Sequence, residues 1–262
     1  MSPVRRSVLI TGGGTGIGAA CARRLASEGM QVALLGRRRG PIEQVAAEIS
    51  GLAIAADGSC TAEMRSAVAL VAERFGGLDA LIANAGGHGL GAALQTDDEA
   101  WREARAANLD SAFVAVRESL PWLIERRGAV VLVSSIAALG AGPEVCGYTT
   151  FKHAVVGLAR SLARDYGPRG VRVNALCPGW VRTPMADEEM RPLMRERDLT
   201  LDEAYALVTR DVPLRRAATA EEIASVCRFL ISPDASIITG AVIVADGGST
   251  IVDVPTLAFA TL

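Results

Sequence analysis

Lysine is almost absent from this chain: of its 27 basic residues, 26 are arginine and one, Lys152, is lysine. Histidine is scarce too, with only His88 and His153. The five cysteines, Cys21, Cys60, Cys146, Cys177 and Cys227, stand 31 to 86 residues apart with no C-x-x-C pair. An odd count at such spacing argues against a disulfide framework, and the few histidines leave a metal centre short of ligands, so no metal site is expected. With a net charge of -2 and no arginine block interleaved with aromatics, the chain offers no field that would hold a phosphate backbone, which argues against nucleic acid as a partner. No stretch approaches the ~18 apolar residues of a membrane span. The first apolar run, Val8 to Ile10, is too short for a signal peptide, and a cytoplasmic protein is expected.

What is present is a regular alternation. Half of the 262 residues are apolar, enough for one large core, and a single domain over 1–262 is expected. Seven short apolar runs read as strands: Ser7 to Thr11, Gln31 to Leu35, Leu52 to Ala55, Ala80 to Ala83, Ala129 to Val133, Val171 to Leu176 and Ala241 to Ala245. Runs such as Val130 to Val133 do not alternate with polar residues, the pattern of strands covered on both faces. Amphipathic stretches between them, among them Ala19 to Ser27, Asp97 to Leu120 and Gly147 to Asp165, are long enough for right-handed crossovers. The expected fold is α/β: one doubly wound, Rossmann-type parallel sheet with helices on both faces. The charged, Met-containing segment 183–213 interrupts the alternation at the carboxyl end of a strand, where a substrate lid would sit; its Met185, Met190, Met194 and Tyr205 suggest an apolar pocket. The apolar tail 251–262 fits core, subunit contact or disorder alike.

After the first strand comes Thr11-Gly-Gly-Gly-Thr-Gly-Ile-Gly18, opening a helix, the context of a dinucleotide-binding turn. Gly12 suits the tight turn, Gly16 lets backbone approach a pyrophosphate, and Gly18 allows helix to pack closely on strand. The N–H groups of a helix beginning around Thr15, Gly16, Ile17 and Gly18 would face the anion. The spacing is G-x-x-x-G-x-G. With Asn84-Ala85-Gly86, Asn108, Ser135, Tyr148-x-x-x-Lys152 and Pro178-Gly179, the chain resembles the short-chain dehydrogenase/reductase family over essentially its whole length.

Where a carboxylate would accept from an adenosine ribose, about 20 residues past the glycines, the sequence has Gly36-Arg37-Arg38-Arg39. Guanidinium forks suit a 2′-phosphate and a carboxylate would repel it, so NADP(H) is favoured over NAD(H). Asp57-Gly58 resembles the family's adenine position, and a lone Asp at a strand end also suits a helix N-cap.

Tyr148 and Lys152 share one helix face. A free phenol is a poor base or acid near neutral pH, and a neighbouring ammonium is expected to lower its pKa into use. A chain that writes its cations as arginine, yet places its one lysine here, has reason to need a compact point charge. Ser135 follows the fifth strand; the resemblance implies that its hydroxyl steadies the substrate oxygen, with Ser134 as its rival. For Asn108 the resemblance implies a backbone carbonyl that holds a proton-relaying water, and packing on the helix is the other reading. Asn84, Ala85 and Gly86 are expected to line the cofactor. Pro178, Gly179, Val181 and Thr183 close its other side, with the Val181 backbone and Thr183 hydroxyl on the carboxamide. His88 receives no role.

These readings imply hydride transfer between a nicotinamide and a secondary alcohol or ketone, with a ketone or 3-oxoacyl reductase expected. A catabolic NAD-dependent alcohol, sugar or steroid dehydrogenase is the alternative. A nucleotide-binding protein without catalysis is disfavoured because all four catalytic residues are present, and a Ser135 hydrolase because no G-x-S-x-G elbow exists. The expected partners are a small carbonyl or alcohol substrate and further copies in a homotetramer. An acyl carrier protein at Arg126 and Arg169 is a further possibility.

Overall fold

The computed structural model describes residues 6–259. Seven strands form one all-parallel sheet: β1 (Ser7–Thr11), β2 (Gln31–Gly36), β3 (Leu52–Ala55), β4 (Ala80–Ala83), β5 (Ala129–Val133), β6 (Arg172–Pro178) and β7 (Val242–Ala245), in the order β3-β2-β1-β4-β5-β6-β7. Six of the seven follow the expected runs to within a residue at either end, and β6 runs two residues further at its carboxyl end. The central strands β1, β4 and β5 are buried throughout, the two-faced burial that their unbroken apolar runs encode.

Two apolar layers cover the sheet. On one face, α1 (Gly16–Ser27), α2 (Arg39–Ile49) and α9 (Ala220–Ile231) enclose Ile10, Leu25, Leu34, Ile82 and Ile223. On the other, α3 (Thr61–Phe75), α5 (Ser111–Arg126) and α6 (Cys146–Tyr166) enclose Leu9, Met64, Leu81, Leu123, Leu132 and Val155. Each such fully buried aliphatic contributes roughly 1.5–3 kcal/mol. The chain winds one way from β1 to β3 and the other way from β4 to β7, so the order reverses between β1 and β4. Ligands of doubly wound sheets bind in the crevice outside the carboxyl ends at that reversal.

Two elements differ from expectation. The long helix over Asp97–Leu120 is α4 (Asp98–Arg105), a five-residue π segment (Ala106–Asp110) and α5. Nothing in the apolar spacing marks that widening. Segment 183–213 forms two helices, α7 (Pro184–Arg197) and α8 (Leu201–Val208), closed on a core of their own: Ala186, Met190, Ala204 and Tyr205 are buried, with Trp180, Leu193, Met194 and Val208 packed around them. Met190 and Tyr205 therefore fill this small core, while Met185 is exposed. The apolar-pocket reading of these side chains is corrected on that point. Of the tail, Ser249–Ile251 and Val254–Phe259 form 3₁₀ turns with Ile251, Val254 and Phe259 exposed; residues 1–5 and 260–262 lie outside the described part.

Candidate active site

The glycine turn is built so that backbone, not side chains, faces the crevice. Gly12 has φ +65°, and a Cβ there would stand 3.0 Å from Ala85 Cα. A Cβ on Gly18 would meet the Gly12 carbonyl oxygen at 2.2 Å, so α1 can start this close to the strand only with glycine. Thr15 caps α1 without a side-chain bond, and the first turn carries no acidic residue. The N–H groups at the positive end of the dipole are thus left for an anion. Thr183 packs against Gly16, where a Cβ would lie 3.0 Å from its methyl carbon.

Asn84 serves that turn rather than opening onto a ligand through its side chain: its Nδ2 donates to the Thr11 and Gly12 carbonyls at 3.2 Å each. Thr11 Oγ1 in return accepts from the Asn84 and Ala85 N–H groups at 3.1 and 3.0 Å. Sequence reading missed this role of Thr11, the buried polar residue ending β1. Across the crevice, Arg182 N–H donates to the Ala218 carbonyl, and Ala218 N–H to that of Trp180. Val181, buried between them, keeps its own N–H and C=O clear of backbone partners among the described residues. Thr183 Oγ1 accepts from Ala186 N at 3.3 Å, so its hydroxyl is shared with the start of α7.

At the ribose end, Arg37 and Arg38 are exposed and enter no ion pair among the described residues, whereas Arg39 pairs with Glu43 at 3.3 Å. Asp57 is not a helix cap, since Cys60 holds that position at α3. Its Oδ1 accepts from Ser59 N and Oγ at 2.8 Å each. Burial pushes its carboxyl up, but the Ser59 bonds and the Arg37 charge outweigh this and hold it below the ordinary range. A glycine cradle that any Cβ would fill, an uncapped helix start and two unpaired guanidiniums fit a dinucleotide carrying an extra phosphate.

The chemistry-bearing residues gather at the adjacent strand ends. Tyr148 and Lys152 lie in the first turns of α6, with Lys152 Nζ 5.4 Å from the centre of the Tyr148 ring. Lys152 is 5% exposed, and its Nζ donates to the Val133 carbonyl at 3.3 Å. Asn108 lies in the π segment, 1% exposed. Gly86 joins them: a Cβ there would stand 3.3 Å from Asn108 Oδ1 and 3.4 Å from Lys152 Nζ. The two serines divide the work. Ser134 is buried and donates to the Lys152 carbonyl at 2.9 Å, while Ser135 stands at the cleft and accepts from Ala137 N at 3.1 Å. Asn108 Oδ1 accepts from Gly87 N at 3.2 Å and its Nδ2 donates to Ala104 O at 3.0 Å, so its side chain pins the loop after β4. The packing reading of Asn108 is real.

One expectation is reversed. Burial raises the Tyr148 phenol above its usual value, and its bond with the Ser135 hydroxyl only partly offsets that. Burial also lowers Lys152 to about 8. Desolvation of both groups exceeds their mutual Coulomb effect here, because the ammonium sits over the ring and toward Val133 rather than at the phenol oxygen.

Sequence reading also passed over His88 and Glu189, whose Nδ1 and Oε1 lie 3.2 Å apart across the mouth of the cleft. No spacing rule links a loop histidine to a helix residue 101 positions away. Arg126 and Arg169 stand at the far end of the sheet, just before β5 and β6, and Arg126 Nη2 bonds the Gly76 carbonyl. Among the described residues no group of three or more His, Cys, Asp or Glu is placed to hold a metal, the cysteines are free, and no helix is long and apolar enough to cross a membrane.

Residues 12–250 match a family profile described as enoyl-(acyl carrier protein) reductase. The chain is 54% identical over 264 aligned positions to protein MoaE of Klebsiella aerogenes, covering 97% of this chain and 99% of that one. It is 36% identical to meso-2,3-butanediol dehydrogenase of Serratia marcescens, over 94% and 95% of the two chains. A crystal structure of a variant actinorhodin polyketide ketoreductase with NADPH superposes with a TM-score of 0.88 at 31% identity, covering 93% of this chain and 97% of that one. With that profile, those relatives and this sheet, the chain belongs to the short-chain dehydrogenase/reductase family.

Proposed function

We propose that the protein is an NADP(H)-dependent reductase of small ketones, interconverting a carbonyl and a secondary alcohol. The observation that carries this is the convergence of Ser135, Tyr148, Lys152 and Asn108 beside a glycine cradle at the sheet's reversal point. When bound, the nicotinamide supplies or accepts the hydride at the substrate carbon. Tyr148 gives the substrate oxygen its proton on reduction and takes it back on oxidation, so one hydride and one proton are added or removed together. Ser135 holds that oxygen and stabilises the charge growing on it. Lys152, with the carbonyls of Val133 and its own backbone clamp at Ser134, keeps a cation beside the phenol. Asn108 fixes Gly87 and so the floor of the site.

Cofactor choice rests on Arg37 and Arg38. Each charge-assisted contact to a 2′-phosphate is worth roughly 1.5–3 kcal/mol, so losing one good contact costs about tenfold or more in NADPH affinity. Following nicotinamide absorbance with a panel of ketones and alcohols tests both parts. NADPH-dependent turnover, with Arg37→Ala losing most of the preference over NADH, is the expected result. A wild type that prefers NADH, or turnover without any cofactor, would overturn it. The likeness to meso-2,3-butanediol dehydrogenase supports the oxidative direction as a second reading.

A free small molecule suits the site better than a carrier-borne acyl group delivered to Arg126 and Arg169, because those arginines lie at the amino ends of the strands, away from Tyr148. We further propose a homotetramer in the cytoplasm. Support for assembly comes from Phe113 on α5 and Trp101 on α4, large apolar side chains left exposed on the single chain.

A further inference from the structure

His88 is held from both sides by the site itself. The preceding residue, Gly87, donates to Asn108 Oδ1 at 3.2 Å, and Asn108 Nδ2 reaches the His88 carbonyl at 3.5 Å. The following residue, Gly89, accepts from Tyr148 N at 3.2 Å and is so close that a Cβ on it would stand 2.4 Å from that nitrogen. The backbone that carries the imidazole is therefore held against Asn108 and Tyr148. The ring Nδ1 faces Glu189 Oε1 at 3.2 Å, on α7 across the cleft. A carboxylate offers about four acceptor positions, and His88 is the one partner of Glu189 among the described residues. About a third of each side chain remains exposed, 39% for His88 and 34% for Glu189. The carboxyl group is thus placed, incompletely satisfied and open to the cleft.

Resting on the oxidoreductase reading, we propose that Glu189 is the substrate-selecting residue, its carboxylate accepting from a hydroxyl or ammonium group close to the reacting carbonyl, with His88 as its positioning partner. Two features favour a donor-bearing substrate over a carboxylate-bearing one. Lys152 is buried behind the phenol and already engaged with Val133, so it is not free to offset a substrate anion that meets Glu189. In addition, Glu189 meets His88, whose neighbours Gly87 and Gly89 are bonded to Asn108 and Tyr148, and its charge opposes phenolate formation at Tyr148. Burial raises the Glu189 carboxyl, and His88 opposes that rise. A substrate donor would hold the carboxylate charged as His88 does.

The test compares kcat/KM for four ketones of similar size: 1-hydroxy-2-propanone, 1-amino-2-propanone, 2-butanone and pyruvate. Wild type should favour the two donor-bearing ketones over 2-butanone by tenfold or more, and pyruvate should be poorest. Glu189→Ala should reduce the donor-to-butanone ratio at least fivefold, chiefly through KM. Glu189→Gln should keep the hydroxyketone and lose the aminoketone, which separates the two donor types and controls for folding. His88→Ala should lower the same ratio, and His88→Asn should restore part of it. A ratio unchanged by Glu189→Ala and Glu189→Gln, or a wild type that prefers pyruvate, would overturn the proposal. Wild type that turns over none of the four would speak against the small-ketone reading instead. Glu189 is then judged by melting with 1-amino-2-propanol, where equal shifts for wild type and Glu189→Gln would overturn its role as well.

Discussion

Lys152 shows at the scale of one residue how a functional group is bought with stability. Removing an ammonium from water is costly, and among the described residues the Val133 carbonyl is the one hydrogen-bond acceptor that meets this one. Its folded-state value of about 8 lies below the usual 10.5, so the unfolded chain binds more protons between those two values. Stability therefore rises with pH across that window, and the penalty is fully present below pH 8. Lys152→Met should melt higher than wild type at pH 7, by at most about 3 kcal/mol in stability, with the gain fading as pH rises from 8 to 10.5. Equal pH profiles for the two proteins would contradict the burial argument. Tyr148→Phe should remove nearly all turnover while cofactor affinity stays within a few fold; substantial residual activity in steady-state assays would refute the proton role. Lys152→Arg should fail as well, because a planar guanidinium would replace the compact charge held between the Val133 carbonyl and the Tyr148 ring.

At the scale of elements, legibility followed periodicity. Strands buried on both faces write themselves as unbroken apolar runs, which is why β1, β4 and β5 match their expected spans; β3, a half-buried edge strand, matches its span as well. The glycine turn, Tyr148 and Lys152 were readable because their spacing is local. The π segment at Asn108 was not, since five residues are too few to show a periodicity of their own. Nor was the His88–Glu189 pair, which only tertiary packing creates. Segment 183–213 misled for a related reason: its apolar residues, Met190, Ala204 and Tyr205, face one another across two short helices and look sparse along the chain. Tyr205 Oη also donates to Asp187 Oδ1 at 2.8 Å, Arg182 lies 4.6 Å over the Tyr205 ring, and a capping box at Thr200 starts α8. These contacts argue against a lid that is melted without ligand. Hydrogen exchange should show amides near Met190 and Tyr205 protected without ligand, with α7 and α8 moving as a unit. Exchange there as fast as in an unstructured loop would refute this.

For the whole molecule, the sheet brings two half-sites together that neither half of the chain could form alone: a cradle from β1 and β4 and a reacting centre from β5 and α6. The alanines, valines and leucines of α5 and α6 are mostly spent inside this one chain, Val114, Val116, Leu120, Val155 and Leu162 among them. Assembly must then rest on what remains outside, chiefly Phe113, with Arg117 5.3 Å over its ring, and Trp101, 4.8 Å from Phe151. Light scattering should report a tetramer for wild type and smaller species for Phe113→Arg. A monomer at every concentration would end the homotetramer proposal.

The bridge between Val181 and Ala218 has a further consequence. It brings the entry and exit of the α7–α8 hairpin side by side, so the segment between leaves and returns at neighbouring points and closes its own small core, touching the rest of the chain at Thr183, Glu189 and Leu214. Such a piece can be exchanged as a cassette: cut at these two residues, it can be replaced by the corresponding hairpin of a relative that keeps Thr183 against Gly16 and the Leu214 bond to Gly247, leaving the sheet and Tyr148 in place. Selectivity would then travel with the transplanted segment while the hydride chemistry stayed with the host, which gives evolution and the protein engineer the same joint at which to cut.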